Sequence, residues 1–399
     1  MGREISIVQK MNKMGAVKKH QKHTNLAKAH LGFFARNEWA IIGTSCGNIK
    51  KVAYQLTKIL SKDYKVAYVD ADHADEQNKV HDFHRQTAGP QMQYTHKISH
   101  HQFSLHAHLE SYQYRYWFNE QDLVIVNGNH FKAKQQIVVI DPQKKASLSR
   151  KLDRLTNVSL ILLMERDQEI FDFLQEYLPN LAEIPVCSIE ETEAVGTLLR
   201  KQMENAVPPL YGLVLAGGKS PRMGSDKGLI DYHGKPQREY VADLLGPYCE
   251  EVFISCRADQ MNDIPSPYQG LSDQLIGLGP FGGISSAFQQ NPNAAWLVVA
   301  CDLPLLDENT LAQLVKGRNV SKIATAFNSP HNEFPEPLIT IWEPKSYPIL
   351  MQFLAQGYSC PRKVLIHSDV ELLDADDKDR LMNVNNPAEK KQVDQLIIK

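Results

Sequence analysis

The residues best suited to chemistry lie in one short run, residues 211–227, whose sequence is YGLVLAGGKSPRMGSDK. Gly217 and Gly218 follow the apolar, β-prone segment 212–216, and residues without a Cβ let the chain turn sharply and bring backbone N–H groups close to an anion. Three cations follow within reach of that turn, at Lys219, Arg222 and Lys227. Such a loop suits a triphosphate, whose charge it would neutralise. A glycine-rich connection with solvated charges is the simpler interpretation of the Gly-Gly pair alone.

A carboxylate stands at a comparable position farther along the chain. Residues 296–301 form an apolar segment typical of a buried strand, and Asp302 comes directly after it. Ligands of open α/β sheets gather at the carboxyl ends of strands, so a carboxylate there is well placed to meet one. Carboxylate oxygen is also the donor that Mg²⁺ prefers, and we therefore predict Asp302 to be a metal ligand. Capping of the next helix is the competing interpretation, but Asp307 is better placed for that role.

The complete pattern LAGG-x-S-x-RMG-x-DK resembles the MobA-type molybdenum cofactor guanylyltransferases, within the larger nucleotidyltransferase fold group. The resemblance runs over the C-terminal half and includes Asp273, the Gly-Pro-Phe-Gly-Gly turn at 279–283 and the Asn-Val-Asn-Asn-Pro segment at 383–387. Ser255 stands where the family has an asparagine, so we expect an altered nucleotide contact there. Asn386 replaces the family's threonine, and these asparagines either bond substrate or cap the last helix.

The resemblance implies transfer of GMP from GTP to the terminal phosphate of molybdopterin, with release of pyrophosphate. It implies Mg²⁺ as the cofactor, with Asp302 as its ligand, and molybdoenzymes as possible client proteins. It assigns catalytic roles to Lys227, Arg222 and Asp302. It assigns nucleotide contacts to Leu215, Ala216, Gly217, Gly218, Lys227, Ser255, Asp273, Gly282 and Asp302.

The N-terminal half begins with a second strand, glycine turn and helix, at residues 39–60. Further apolar segments alternate with helical stretches, which predicts a parallel sheet covered on both faces. The turn sequence GTSCGNIKK lacks the second glycine, the lysine and the following hydroxyl of a phosphate-binding loop, because Asn48, Ile49 and Lys50 occupy those places. This half resembles MobB, the P-loop partner of MobA, with Asn127 where that family has an acidic residue. We therefore expect a MobB-like domain that has lost ordinary GTPase machinery, in which Lys50 or Lys51 still contacts an anion.

These observations predict a fold class of two three-layer α/β domains. The N-terminal domain, 37–207, is expected to be a degenerate P-loop type. The C-terminal domain, 208–399, is expected to have a Rossmann-like nucleotidyltransferase fold with a mostly parallel sheet. Residues 1–36 form a polar, basic arm, either loosely docked or closing over a neighbouring site. The paired prolines Pro208 and Pro209 mark the boundary between the domains.

Composition excludes several classes of partner. The chain has 399 residues, 43% apolar content and a formal net charge of −2, which gives no global attraction to nucleic acid or an anionic membrane. No apolar run is long enough to span a bilayer and no signal core is evident, so we expect a cytoplasmic protein. The six cysteines include no Cys-x-x-Cys pair, which favours reduced thiols over a zinc ribbon or a disulfide scaffold.

Three questions stay open at the level of sequence. The same loop serves cytidylyltransferases, and side chains alone do not separate GTP from CTP. A non-catalytic adaptor that delivers cofactor to client enzymes is the alternative outside enzymology. Histidines crowd residues 73–108, where either a metal site or a set of exposed imidazoles is possible.

Overall fold

The computed structural model describes residues 25–71, 91–105, 107–218 and 226–397 of the chain. Two separate β-sheets organise these residues, one formed within 38–188 and the other within 210–373. Helix α5 (Thr192–Asn205) ends the first half and strand β9 (Leu210–Leu215) begins the second. Pro208 and Pro209 lie in the short connection between them. No helix among the described residues is long and apolar enough to cross a membrane.

The first sheet contains six strands, and every pair of neighbours is parallel. Its strands are β1 (Glu38–Ile42), β2 (Val66–Val69), β5 (Leu123–Asn127), β6 (Gln135–Ile140), β7 (Val158–Leu163) and β8 (Val186–Ser188). They lie in the order β2-β5-β1-β6-β7-β8. The prediction of a parallel sheet in this half is confirmed, whereas its assignment to a MobB-like P-loop type stays a prediction.

Helices cover both faces of the first sheet, because successive side chains of a strand point to opposite faces. Trp39 and Ile41 of β1 pack against the helix at 46–60 and against helix α5. Ile42 packs on the other face, against the short helices at 145–149 and 172–177. The helices that precede α5 are α1 (Cys46–Leu60), α2 (Ser111–Trp117), α3 (Lys145–Ser149) and α4 (Asp172–Tyr177). Helices α1 and α5 approach closely at Gly196, where a Cβ would lie 2.8 Å from Cγ2 of Ile59.

A small antiparallel hairpin, β3 (Met92–His96) and β4 (His101–Leu105), carries part of the histidine-rich interval. His96 and His101 are paired in register, and their rings stack with centroids 4.8 Å apart. Other histidines of this interval, at positions 73, 81, 84 and 106, lie outside the described residues. Within the described ranges, no group of three or more His, Cys, Asp or Glu side chains is arranged to hold a metal ion. The metal hypothesis for the complete interval stays a hypothesis.

The second sheet has seven strands and is mostly parallel, as predicted. Its strands after β9 are β10 (Val252–Cys256), β11 (Gln269–Ser272), β12 (Ala295–Ala300), β13 (Ala324–Asn328), β14 (Pro335–Trp342) and β15 (Val370–Leu373). The order is β11-β10-β9-β12-β14-β13-β15, and β14 alone among them runs antiparallel to its neighbours. All side chains of β12 are buried, which explains why its sequence is a continuous apolar run.

The helices of the second half are α6 (Gln237–Leu245), α7 (Pro280–Gln290), α8 (Glu308–Lys316), α9 (Ser346–Ala355), α10 (Pro361–Ile366) and α11 (Pro387–Ile397). Asp307 caps α8 by accepting a hydrogen bond from the backbone N–H of Thr310 at 2.9 Å. The expectation that Asp307 is the capping residue is therefore confirmed, and Asp302 is not needed for that purpose. The glycine-rich turn at 279–283 predicts that the next helix starts near Ile284, which is wrong, because α7 already begins at Pro280.

The two sheets meet through the edges at which their parallel strands begin. Asp122, directly before β5, forms a buried ion pair with Lys345, which follows the antiparallel strand β14. Ser321, just before β13, donates to Asp122 Oδ2 at 2.7 Å. Lys65, directly before β2, pairs with Asp369, directly before β15, at 2.6 Å. The carboxyl ends of the parallel strands in both sheets therefore lie on outward sides of the molecule, roughly 17–20 Å from this contact at about 3.3 Å of rise per residue.

The described part of the polar arm, residues 25–36, lies at the same contact. The backbone N–H of His30 and Nη1 of Arg36 both donate to Asn293 Oδ1, at 2.7 and 2.9 Å. Phe34 is only 3% exposed and packs against the aromatic rings of Tyr114 and Phe118. These residues are thus docked where strands begin, away from the carboxyl ends of the strands. Residues 1–24 lie outside the described residues.

Candidate functional site

A cavity of about 310 Å³ opens at the carboxyl ends of β9, β10 and β12. It contains eight of the residues that the sequence assigns to the site, namely Leu215, Ala216, Gly217, Gly218, Lys227, Ser255, Asp273 and Asp302. Arg222, and also Lys219, lie outside the described residues. Gly282 does not line the cavity, because a Cβ on it would point at the backbone oxygen of Leu275, 2.5 Å away. The sheet thus brings together side chains that are up to 87 positions apart, from Leu215 to Asp302.

Lys227 and Asp302 form the charged pair of the cavity. Lys227 Nζ donates to Asp302 Oδ2 at 3.4 Å and to Asn385 Oδ1 at 2.8 Å. Asp226 fixes the turn that presents Lys227, because its Oδ1 accepts from the backbone N–H of Gly228 and its Oδ2 accepts from Gln260 Nε2. Both members of the pair are mostly buried, with side chains 18% and 19% exposed. A lysine held in this way is positioned to exchange its present partners for an anion.

Asp302 is only partly satisfied in this arrangement. Its Oδ1 is buried and has no hydrogen-bond partner among the described residues. Burial raises the pKa of Asp302, while the neighbouring Lys227 ammonium opposes that rise. A buried carboxylate oxygen without a partner costs free energy, since its hydration is lost and not replaced. A bound cation would supply the missing partner.

A second carboxylate lies across the cavity, where Ser255 Oγ donates to Asp273 Oδ1 at 2.7 Å. Burial raises the pKa of Asp273, and the Ser255 hydrogen bond partly offsets it. Helix α7 packs directly on this pair at Gly283, where a Cβ would lie 2.7 Å from Ser255 Oγ and 3.4 Å from Asp273 Oδ1. Glycine is therefore required at position 283 by packing against the pair. The Ser255 hydroxyl, which is shorter than an asparagine side chain, orients Asp273.

The entrance to helix α7 forms another wall of the cavity. Gly279 precedes the helix with φ of +56°, a conformation that favours glycine, and Pro280 is its first residue. Both residues line the cavity. The N-terminus of an eleven-residue helix therefore faces the ligand space, where its dipole favours negative charge. The sequence drew attention to this turn but placed the contact at Gly282.

Sequence reasoning missed several residues around the cavity. Arg257, directly after β10, donates from Nη1 to the backbone oxygen of Gly217 at 3.1 Å and so fixes the glycine turn. Its position beside β9 at the end of a parallel strand was an available signal. Ala300, Cys301 and Leu338 also line the cavity. Their apolar side chains give no sequence signal beyond membership of a buried strand.

The two adjacent asparagines of the 383–387 segment have different roles. Asn386 Oδ1 accepts from the backbone N–H groups of Ala388 and Glu389, at 3.1 and 3.0 Å, and so caps helix α11. Asn385 instead holds Lys227. The backbone N–H of Val384 donates to the backbone oxygen of Asp302 at 2.9 Å. This segment therefore ties the last helix to the charged pair.

The glycine turn of the first half is built differently. Gly43 adopts φ of +103°, and a Cβ there would lie 2.3 Å from the backbone oxygen of Val139. Thr44 Oγ1 donates to Asp141 Oδ2 at 2.6 Å, and Ser45 caps α1 by accepting from Asn48 N–H. Asn127 Nδ2 donates to Asp70 at 2.7 Å. The polar groups at this turn thus bond to one another. Lys50 and Lys51 are exposed on α1, and their proposed anion contact stays a prediction.

The parallel sheet, the glycine turn at the end of its first strand and the Lys227–Asp302 pair define the second half as an α/β domain of the nucleotide-handling class. A family model described as a MobA-like NTP transferase domain matches residues 212–371. A Pseudomonas putida protein named molybdenum cofactor guanylyltransferase is 32% identical over 197 residues, covering 46% of this chain and 97% of that protein. Through its C-terminal half, the chain belongs to the MobA-like NTP transferase family.

Two further proteins are each similar to a little under half of the chain. A Synechocystis protein named molybdenum cofactor biosynthesis bifunctional protein is 37% identical over 186 residues, and the match covers 46% of this chain. The chain spans about half the length of that relative, 54%. The crystal structure of molybdopterin-guanine dinucleotide biosynthesis protein A from Archaeoglobus fulgidus has a TM-score of 0.41 and 22% identity, over 47% of this chain and 97% of that one.

Proposed function

We propose that the C-terminal half is a nucleotidyltransferase that transfers GMP from GTP to the terminal phosphate of molybdopterin and releases pyrophosphate. The names of its relatives support the substrates. The observation that carries the proposal is the Lys227–Asp302 pair with its partnerless Asp302 oxygen, placed beside Gly217 in the cavity. Such a site holds a cation and an anion next to each other, as a triphosphate with its counter-ion requires.

The residues act by position and charge rather than as nucleophiles. The turn at Gly217 and Gly218, with the N-terminus of α7, brings backbone N–H groups to the phosphates. Lys227 leaves Asp302 and Asn385 for an oxygen of the leaving pyrophosphate, whose developing charge it neutralises. Arg222 is proposed to assist there. Asp273, held by Ser255, orients the nucleotide on the opposite wall.

The donor set fits Mg²⁺. This ion commonly binds one or two carboxylates together with substrate phosphates, and it keeps several waters. Asp302 supplies an oxygen that has no other partner, and Asp273 is a second carboxylate on the same cavity. Bound there, Mg²⁺ would neutralise phosphate charge and polarise the α-phosphorus. Removal of the Asp302 carboxylate is therefore expected to weaken metal and nucleotide binding together.

The test is pyrophosphate release by the full-length protein with molybdopterin, Mg²⁺ and each of GTP, CTP, ATP and UTP in turn. We expect GTP to be the preferred substrate and Asp302→Ala to lower turnover by about 10³-fold, the upper end of what one charge-stabilising group contributes. Asp231→Ala is a matched control, because Asp231 carries the same charge in the same half but does not line the cavity. Turnover by Asp302→Ala close to wild type would contradict the site.

The same assay separates the two alternatives. A preference for CTP would keep the reaction class and change the nucleotide to that of a cytidylyltransferase. Absence of pyrophosphate release with every nucleotide, together with retained molybdopterin binding, would favour a cofactor-delivery adaptor with client molybdoenzymes as partners. The buried charge of the Lys227–Asp302 pair argues for catalysis, since an adaptor has no need of an unsatisfied carboxylate in a nucleotide-sized cavity.

A further inference from the structure

A thiol and an imidazole meet at the carboxyl ends of β1 and β5, on the outward side of the first sheet. Cys46 Sγ lies 3.3 Å from His130 Nε2, which is hydrogen-bond distance for sulfur. Cys46 is the first residue of α1, a helix of 15 residues, and His130 follows β5 by three positions. Both side chains are half-buried. The proposed nucleotidyl transfer uses neither residue.

The surrounding network holds this pair in place. Asn129 Nδ2 donates to the backbone oxygen of Thr44 at 2.9 Å and lies 3.6 Å from Cys46 Sγ. Asn129 Oδ1 accepts from Lys151 Nζ at 2.9 Å. The backbone N–H of His130 donates to the backbone oxygen of Asn127. Asn129 and His130 thus both contact the sulfur from the segment after β5, and Lys151 holds Asn129 in place.

Charged side chains lie close to both members of the pair. Lys151 is a cation close to Cys46, and burial with the neighbouring Arg154 lowers its pKa while Cys46 opposes that change. Burial opposes ionisation of Asp70, but hydrogen bonds from Tyr68 and Asn127 and the nearby His130 lower its pKa below the usual value. Asp141, another carboxylate at this edge, accepts a hydrogen bond from Thr44 Oγ1. The Lys151 ammonium therefore lies close to Cys46, and the Asp70 carboxylate lies close to His130.

The other cysteines provide the contrast. Burial raises the pKa of Cys249 to about 12 and that of Cys256 to about 11. Burial also raises the pKa of Cys187 and of Cys301. Burial therefore disfavours the thiolate, which is the nucleophilic form, at these four cysteines. Cys360 is exposed and serves as the reference for an ordinary accessible thiol.

We propose that Cys46 and His130 form a reactive thiol–imidazole pair that exchanges with small disulfides. The thiol proton passes to His130, and the Cys46 thiolate attacks one sulfur of the disulfide. The disulfide bond breaks as the new S–S bond forms, and the leaving thiolate takes the proton back from the imidazolium. Cys46 is oxidised to a mixed disulfide while half of the small disulfide is reduced to its thiol. The half-buried position of Cys46 limits the partner to a small one.

The experiment treats reduced, full-length protein with limiting iodoacetamide over a pH series, and separately with glutathione disulfide near neutral pH. Peptide mapping by mass spectrometry then measures modification at Cys46 and Cys360 in the same sample. We expect Cys46 to react on the order of ten-fold faster than Cys360 near neutral pH, because only the thiolate fraction reacts and a helix N-terminus with an imidazole raises it. The rate at Cys46 should also reach its plateau at lower pH.

Two variants show whether the imidazole is responsible. His130→Gln keeps a polar side chain but removes the proton acceptor, and we expect the Cys46 rate to fall to that of Cys360 or below. Cys46→Ser should abolish the mixed disulfide and leave pyrophosphate release unchanged. Equal rates and equal pH profiles at Cys46 and Cys360 in the wild-type protein would overturn the proposal even if a variant failed to fold. An unchanged Cys46 rate in folded His130→Gln would overturn it as well.

Discussion

The two glycine turns of this protein occupy equivalent places in their sheets, but the polar groups around them differ in their hydrogen bonding. Each follows the first strand of a parallel sheet and lies where ligands of such sheets gather. At Gly217, the nearby charges Lys227 and Asp302 face a cavity, and one carboxylate oxygen has no partner. At Gly43, Thr44 and its neighbours bond to Asp141 and to one another. The first turn lies beside a buried carboxylate oxygen that has no hydrogen-bond partner, whereas the polar groups at the second turn bond to one another.

This difference separates fold from function within one chain. A strand, glycine turn and helix can be retained for packing alone, since Gly43 is required by the close approach of the Val139 backbone. A working site needs in addition a charged group that the protein leaves incompletely paired. Of the two turns, only Gly217 shows that property within the part of the chain that the structure describes.

The largest expected effect concerns the contact that joins the two regions. Asp122→Ala leaves the Lys345 ammonium buried without its partner, and we expect a loss of about 3–5 kcal/mol in the free energy of unfolding. Urea unfolding followed by fluorescence measures it, because the buried tryptophans Trp39 and Trp296 report on different halves. Asp153→Ala, in the exposed Lys132–Asp153 pair, is the control and should cost about 1 kcal/mol or less. Equal losses of unfolding free energy in both variants would contradict a stabilising role for the buried Asp122–Lys345 pair.

The next effect tests the comparison of the turns directly. Lys227→Met should lower kcat/KM for GTP by about 10²-fold, because a charge that stabilises the leaving group is lost. Lys151→Met removes the corresponding lysine near the Gly43 turn and should leave kcat/KM unchanged. Pyrophosphate release under identical conditions measures both. If the Lys151 variant loses as much activity as the Lys227 variant, the first half takes part in the reaction and the distinction between the turns fails.

The smallest effects are opposite in sign and depend on pH. Because burial raises the pKa of Asp302, the ligand-free wild-type protein loses stability as pH rises through that raised value. Asp302→Asn should therefore gain stability relative to wild type over the same rise. Asp70 has a lowered pKa, so its stabilisation is present above the ordinary carboxyl range and is lost in acid. Asp70→Asn should lower Tm near neutral pH and approach wild type as pH falls.

Thermal unfolding of both variants across a pH series measures these slopes. Equal slopes for Asp302→Asn and Asp70→Asn would remove the electrostatic distinction between the two regions. Addition of Mg²⁺ with GTP offers a further comparison, since it should raise the Tm of wild type and of Asp70→Asn more than that of Asp302→Asn.

Most elements were predictable because apolar periodicity follows the local packing. The apolar run at 123–127 predicts a strand, and it coincides with β5; the sequence after Pro236 predicts a helix over 237–245, and it coincides with α6. Helix α7 was placed too late because Gly282 and Gly283 are poor helix formers. Their tertiary surroundings override that preference, since the Leu275 backbone and the Ser255 hydroxyl leave no room for a Cβ.

The site itself was only partly predictable, because sequence shows residue types and not their partners. Asp302 was recognisable from its place after a strand, Lys227 from the cationic loop after Gly218, and Asp273 from the family resemblance. The hydrogen bond from Lys227 to Asn385 spans 158 positions, and that from Lys345 to Asp122 spans 223. Neither leaves a local pattern. The orientation of the two sheets depends on the second contact, and so it emerged only from the structure.

The orientation of the two sheets has a consequence for ligand binding. The carboxyl ends of the parallel strands of the two sheets lie on opposite sides of the contact between the sheets, roughly 35–40 Å apart when about 3.3 Å per residue is counted along both sets of strands. Ligands at these two ends can therefore be bound at the same time without competing for the same residues.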